Sequence, residues 1–396
     1  FKVGDPGTLT DSTPKIGSDP QKKPSFLLMG GGPDVDEGFR LMIRKAGATA
    51  TTGGRFVVIR ATGTDAYNSY IYDASGSAWP SYVGGKDLHL SSVETLIIPS
   101  RTAAAHPDVS TIIQRADMLF IAGGDQADYI NFWKGTALNA ALNAKIAAKT
   151  PIGGTSAGNA VLGQFAFTAL NGTVTSPQAM GDPFNRYMTF DPILSSVPLS
   201  SSLLSITSLA NTITDDHFET RDRMGRTVAF ISRITKEICA GPAGVGVSRA
   251  IGLDEETALI VLGNKASVVS NPNYQKTTNN TPNPNSVYLL QFSGGYNRYC
   301  SAGKPLMLSA ATPTYGPVLL TRMTGSQLVA TMTANSLSPT TLTAGQNVSY
   351  QDVGKYFDLS TWQVISGINP PAGYTASYSV TSTLAAANGT LGGITY

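Results

Sequence analysis

The chain has 396 residues, and its 28 basic and 26 acidic side chains make only 14% of it charged, against roughly 25% in an average soluble domain. A formal net charge of +2 leaves no electrostatic footprint for nucleic acid or an anionic membrane, and no run approaches the ~18 consecutive apolar residues of a membrane-spanning helix. With 41% hydrophobic residues and apolar runs along its whole length, disorder is excluded and a large buried core is expected.

The chain opens on Phe1, which implies a removed upstream segment. Few charges with much Ser, Thr, Asn and Gly is a surface style of secreted proteins, so an extracellular location is expected. Cys239 and Cys300 are the two cysteines. One disulfide closing a long loop and two buried thiols both fit.

Residues 1–24 mix Gly, Pro, Asp and Lys without periodicity and read as an N-terminal arm. The apolar run Phe26-Leu27-Leu28-Met29 then ends in Gly30-Gly31-Gly32, and Phe39, Met42, Ile43 and Ala46 follow at helical spacing. Further strand-like runs are Phe56 to Ile59, Val93 to Ile98 and Met118 to Ala122, with a helix expected around Val109, Ile112 and Ile113. Ala137 to Lys149 is rich in helix formers and leads into a short strand, Thr150 to Gly153. This alternation predicts an α/β fold with a doubly wound, mostly parallel sheet over residues 25–265. The site is then expected at the carboxyl ends of the strands, where the glycine-rich corners fall. Asn264 to Ser286 is a polar insertion. Short β-like runs such as Val287 to Leu290 and Pro317 to Leu320 follow, so 266–396 is expected to be a β-rich extension packed on the core.

Four clusters bear on chemistry. Gly154-Thr155-Ser156-Ala157-Gly158 follows an expected strand and opens a helix-like stretch. G-x-S-x-G in that context is a nucleophile elbow, in which glycines permit the sharp turn that exposes the serine hydroxyl; a tight turn whose Ser caps a helix is the plainer alternative. His89, His106 and His217 are the only histidines. His89 lies in an alternating run facing solvent, and His106 in a loop. His217 lies in the segment 215–226, where seven of twelve residues are charged, including Arg221, Arg223 and Arg226. A solvated helix end would also account for that segment. Asp254, Glu255 and Glu256 stand between two apolar runs, as a hairpin turn or as a carboxylate that orients an imidazole. Gly123-Gly124-Asp125-Gln126 follows a strand and offers amides to an oxyanion, with the Ala157 N–H as second donor. The chain order Ser156, His217, Glu255 differs from the Ser, acid, His order of α/β-hydrolases, which disfavours an esterase or lipase.

Taken in order, Gly-Gly-Asp-Gln at 123–126, Gly-Gly-Thr-Ser-Ala-Gly-Asn at 153–159, Asp-x-His-Phe with its arginines, and Gly-Leu-Asp-Glu-Glu-Thr-Ala at 252–258 resemble the cyanophycinases. These are relatives of aspartyl dipeptidase among serine peptidases with a class I glutamine-amidotransferase-like, flavodoxin-like fold. The resemblance runs from Phe26 to Leu262, with an echo at Gly354 to Leu359, and the extra length is closest to extracellular members. It implies a serine-type exopeptidase that hydrolyses cyanophycin, a poly-aspartate bearing an arginine on each side chain, to β-aspartyl-arginine dipeptides. Ser156 would be the nucleophile, His217 the base and Glu255 the acid. Ala157 and Gly124 would form the oxyanion hole, and Gln126, Asp215, Asp216, Arg221, Arg223 and Arg226 would line the substrate pocket. The family commonly has Gln at the position of Asp216 and Asn at that of Asp125.

That assignment suits the chemistry of a zwitterionic substrate. Arginine forks receive carboxylates, and Asp215 with nearby acids would receive guanidinium groups. Neither a metal nor a cofactor is needed, since adjacent residues such as Asp215, Asp216 and His217 rarely converge on one ion. The expected partner is the cyanophycin polymer, without nucleic acid or membrane. A homodimer is the expected assembly, although no residue pattern selects it. The residues do not separate cutting at chain ends from internal cutting. Two further readings stay open: a dipeptidase acting on small aspartyl or isoaspartyl peptides, and a secreted binding protein without activity, which would predict a broken triad.

Overall fold

The computed structural model of the chain describes residues 1–17, 23–73, 83–196, 199–239 and 248–270, then 276–278, 281–283, 286–292, 300–304, 306, 318–325, 334–337, 340–342, 346–354, 356–359, 363–365, 377–384, 390–391 and 394–395. Its first half alternates strands and helices: β1 (Lys2–Gly4), β2 (Ser25–Met29), α1 (Asp36–Ala46), β3 (Arg55–Arg60), α2 (Ala66–Tyr72), β4 (Ser92–Ile97), α3 (Arg101–Ala104), α4 (Pro107–Arg115), β5 (Met118–Ile121), α5 (Gln126–Trp133), α6 (Ala137–Ala147), β6 (Ile152–Thr155) and α7 (Ala157–Ala160). After these come β7 (Ala166–Phe167), α8 (Ser176–Gly181), β8 (Phe190–Asp191), β9 (Thr212–Asp215), α9 (Met224–Ile234), β10 (Arg249–Leu253), β11 (Thr257–Leu262) and β12 (Lys265–Ser270).

Strands β4, β3, β5, β6 and β2 lie side by side in that order, all parallel. Successive side chains of a strand point to opposite faces, and the core divides accordingly. Leu27, Met29, Phe56, Val58, Met118 and Phe120 pack with Phe39, Met42 and Ile43 of α1 on one face. Leu28, Val57, Ile59, Leu119 and Ile121 pack with Ile113, Trp133, Leu138 and Leu142 of α4, α5 and α6 on the other. Both faces of the parallel core are therefore covered by helices, the doubly wound α/β arrangement read from the alternation, and the strands are apolar at nearly every position because neither face meets water.

The flanks are antiparallel. β1 pairs with β4, so the start of the N-terminal arm is an edge strand. On the other side β11 pairs with β2 and β12 with β11, followed by the strands Tyr356–Asp358 and Gln363–Ile365. A second sheet holds β9 and β10 as parallel neighbours and continues antiparallel into Ser286–Phe292 and Val318–Gly325. The sheets thus cross the composition change at residue 265 in both directions: β9 and β10 join the C-terminal strands, and residues 356–365 return to the first sheet. Cys300 is a free, buried thiol, and burial pushes its pKa up to about 12; the side chain of Cys239 lies outside the described residues.

Candidate active site

The carboxyl ends of the neighbouring strands β5, β6 and β2 turn into the three glycine-rich corners, and the ends of β9 and β10 face them. Ser156 occupies the turn from β6 into α7 with φ 52° and ψ −124°. A non-glycine residue held there is strained by about 1–3 kcal/mol, and the sharpness of the turn is what lifts its hydroxyl out of the strand. The flanking glycines permit it by close approach. A Cβ on Gly154 would stand 2.5 Å from the Gly158 carbonyl oxygen, and one on Gly158 would stand 2.0 Å from that of Ile121.

His217 follows the end of β9 with φ 43°, and its N–H donates to the Gly30 carbonyl at 2.7 Å. Its Nε2 lies 2.9 Å from Ser156 Oγ, and its Nδ1 lies 2.5 Å from Glu255 Oε1. Serine, imidazole and carboxylate form one hydrogen-bonded line, with His217 only 6% exposed. Glu255 sits where the chain passes from β10 in the second sheet to β11 in the first, so the three-acid junction is a crossing between sheets and not a hairpin. Asp254, beside it, accepts from the Glu219 and Thr220 amides at 3.2 Å and from the Thr220 hydroxyl at 3.1 Å. It thereby anchors the loop that carries His217.

Gly30, Gly31 and Gly32 were not among the site residues read from the sequence, yet they form the floor of this line. A Cβ on Gly30 would stand 1.8 Å from the Asp254 carbonyl oxygen, and one on Gly32 (φ 70°) would stand 3.2 Å from Glu255 Cβ. Gly31 accepts from the Glu256 N–H at 3.0 Å. The signal was present as a triple glycine at a strand end. Just beyond it, Asp34 accepts from Tyr67 at 2.6 Å; burial raises its carboxyl to about 6, against the hydrogen bond from Tyr67.

The corner after β5 abuts the serine: a Cβ on Gly123 would come 3.3 Å from Ser156 Cβ, and one on Gly124 would come 2.8 Å from the Tyr129 hydroxyl. Asp125 caps α5, its Oδ1 accepting from the Ala127 N–H at 2.9 Å. Gln126 donates to the Phe167 carbonyl at 3.4 Å. Ala157 is the first residue of α7.

The charged segment resolves into pairs. Asp215 is buried at the end of β9, where the first turn of α9 reaches it. Arg226 donates to both its oxygens, at 2.9 Å from Nε and 2.5 Å from Nη2, and the Thr227 hydroxyl adds a bond of 2.8 Å. Burial alone would raise this carboxyl, but Arg226, with Arg223 and Thr227, outweighs it and holds the carboxyl below its ordinary value. Asp216 Oδ1 accepts from Arg223 Nη1 at 2.5 Å and stands 3.7 Å from His217 Nε2. Asp215 and Asp216, expected to receive substrate guanidinium groups, thus have protein guanidinium groups as partners. A buried carboxylate left for a ligand would be costly until the ligand arrived.

Beside the serine is a cleft of about 440 Å³ whose lining includes Gly124, Asp125, Gln126, Arg221, Arg223 and Arg226, with the segment 172–176 as its far wall. That wall had no signal in the sequence beyond its Gly and Thr content. His89 is exposed, in a turn with φ 69°, and His106 caps α4 by accepting from the Asp108 N–H at 3.2 Å. Neither is part of the line.

A family model described as Peptidase family S51 matches residues 71–181. The chain is 28% identical over 274 residues to a cyanophycinase of Synechococcus elongatus, covering 63% of this chain and 75% of that one. It is 25% identical over 272 residues to a cyanophycinase of Nostoc sp., covering 65% and 76%. Among solved structures, a peptidase from an acI-B1 Actinobacterium aligns with a TM-score of 0.40 at 17% identity, covering 63% of this chain and 88% of that one.

Proposed function

We propose that this chain is a serine peptidase of family S51 that degrades cyanophycin to β-aspartyl-arginine dipeptides through an acyl-enzyme on Ser156. The observation that carries the reading is the hydrogen-bonded line Ser156–His217–Glu255 opening beside a cleft lined by three arginines. His217 Nε2 accepts the proton of the Ser156 hydroxyl as Oγ attacks the scissile backbone carbonyl. Glu255 holds the ring by Nδ1–H and stabilises the imidazolium. The oxyanion is received by the N–H groups of Ala157 and Gly124. His217 then gives its proton to the leaving amine, and a water activated by the same ring hydrolyses the ester. Gln126 and the arginines bind the aspartyl-arginine units. The cyanophycinase relatives support the substrate class.

Identification of the product tests this. Insoluble cyanophycin incubated with the protein is expected to release a soluble species with the mass of β-aspartyl-arginine. Cleavage of small aspartyl dipeptides with the polymer left intact would replace this reading by the small-peptide one.

A further inference from the structure

The cleft beside Ser156 holds three arginines, yet they are not equivalent. Arg226 is buried and forked onto Asp215. Arg223 is held by Asp216, by its backbone carbonyl at 3.1 Å and, more distantly, by Asp215 at 3.5 Å. Their charges are balanced inside the protein by two carboxylates. Arg221 is exposed and lines the same cleft, and among the described residues its guanidinium has no ion-pair partner.

The opposite charge stands at the mouth of the same cleft. Asp125 is exposed and lines it. One carboxylate oxygen caps α5 through the Ala127 N–H at 2.9 Å, and among the described residues no cation pairs with the other. Its neighbour Asp128 responds to this charge: burial and Asp125 together raise the Asp128 carboxyl. An amide oxygen of Asn caps a helix as well as a carboxylate does, so the cap does not account for a negative charge here. Gly124 fixes the approach, since any Cβ there would meet the Tyr129 hydroxyl.

We propose that Asp125 is the specificity-determining residue for the arginine side chain of the substrate, receiving its guanidinium while Arg221 takes a carboxylate of the same unit. Asp215 and Asp216 then serve as positioning residues that hold Arg226 and Arg223. This assignment rests on the cyanophycin reading. The cleft offers one uncompensated charge of each sign, which matches a ligand carrying a guanidinium and carboxylates, and its volume lies in the range of small-ligand sites.

Binding to a protein that cannot turn over separates this proposal from the activity itself. Ser156→Ala, alone and with Asp125→Asn, is titrated calorimetrically with β-aspartyl-arginine and with β-aspartyl-citrulline, the same shape without the charge. The single variant is expected to prefer the arginine dipeptide by on the order of tenfold or more, the worth of a hydrogen bond to a charged group. Adding Asp125→Asn should bring the two affinities together with the citrulline dipeptide unchanged, and Arg221→Gln should weaken both dipeptides alike. Asn keeps the cap, so the fold is retained, as circular dichroism will show. A preference for arginine that survives Asp125→Asn overturns the assignment and leaves the cyanophycin reading standing. Absence of binding by either dipeptide overturns both.

Discussion

The imidazole of His217 lies directly over Gly31: a Cβ at that glycine, where φ is 97°, would stand 2.5 Å from both Cε1 and Nε2 of the ring. Only a hydrogen fits between the β2 corner and the base. Gly31→Ala must displace the ring away from Ser156, and a displacement of about 1 Å costs on the order of 100-fold in rate. It also forces an alanine into left-handed backbone, at about 1–3 kcal/mol. Loss of kcat by that order, with a lowered melting temperature, is expected; a near wild-type rate would show that the ring does not need this seat.

Glu255→Gln removes the negative charge at 2.5 Å from Nδ1 while keeping an oxygen of similar reach. Loss of the carboxylate leaves the imidazolium uncompensated and the tautomer unfixed, and a fall in kcat of about 10²–10⁴ is expected with folding intact. Glu256→Gln, made in parallel, is expected to stay within tenfold of wild type. The reverse ranking would reassign the acid.

The Asp215–Arg226 pair is predicted to act on stability. Asp215→Asn leaves a buried guanidinium without its counter-charge, which costs about 3–5 kcal/mol and should appear as a lowered melting temperature. Because Asp215 is held below its ordinary value of 3.8 in the folded protein, the stabilisation is complete above that value and is lost only as pH falls through the lower folded value. The gap in melting temperature between wild type and variant is therefore flat from pH 5 to 8 and narrows below pH 4. A gap that narrowed near neutrality would point to a different group.

Asp34 has the opposite sign. Its carboxyl is raised from 3.8 to about 6, so between those values the folded protein binds the extra proton and its stability declines as pH rises. Asp34→Asn keeps an acceptor for the Tyr67 hydroxyl and cannot ionise. Its melting temperature relative to wild type should climb from pH 4 to pH 7 and level off above. A difference independent of pH would show that Asp34 ionises in the folded state as it does in the open chain.

The elbow was legible in the sequence because its requirement is local: Gly154 and Gly158 serve a turn that begins and ends within five residues. The parallel core was legible for the same reason, since each strand's apolar run and each helix's stripe is written in consecutive residues. The Gly30–Gly32 floor was not, because its neighbours, His217 and Glu255, arrive from the far side of the chain and only the folded contact shows what the triple glycine is for. The charged segment showed acids and arginines together without their pairing. Whether Asp215 faces a ligand or Arg226 depends on α9 starting where its first turn reaches back over the end of β9, and no periodicity encodes that. The crossing from β10 to β11 was likewise invisible, since two apolar runs joined by a short acidic stretch look alike whether they pair with each other or belong to different sheets.

The most direct test of the account is the rate at which Ser156→Ala clears a suspension of insoluble cyanophycin, measured beside wild type at matched, spectroscopically folded protein. A loss on the order of 10⁴–10⁶ with the melting temperature preserved is predicted if the Ser156 hydroxyl is the attacking group. Clearing by the variant within tenfold of wild type would contradict the account and remove Ser156 from the chemistry.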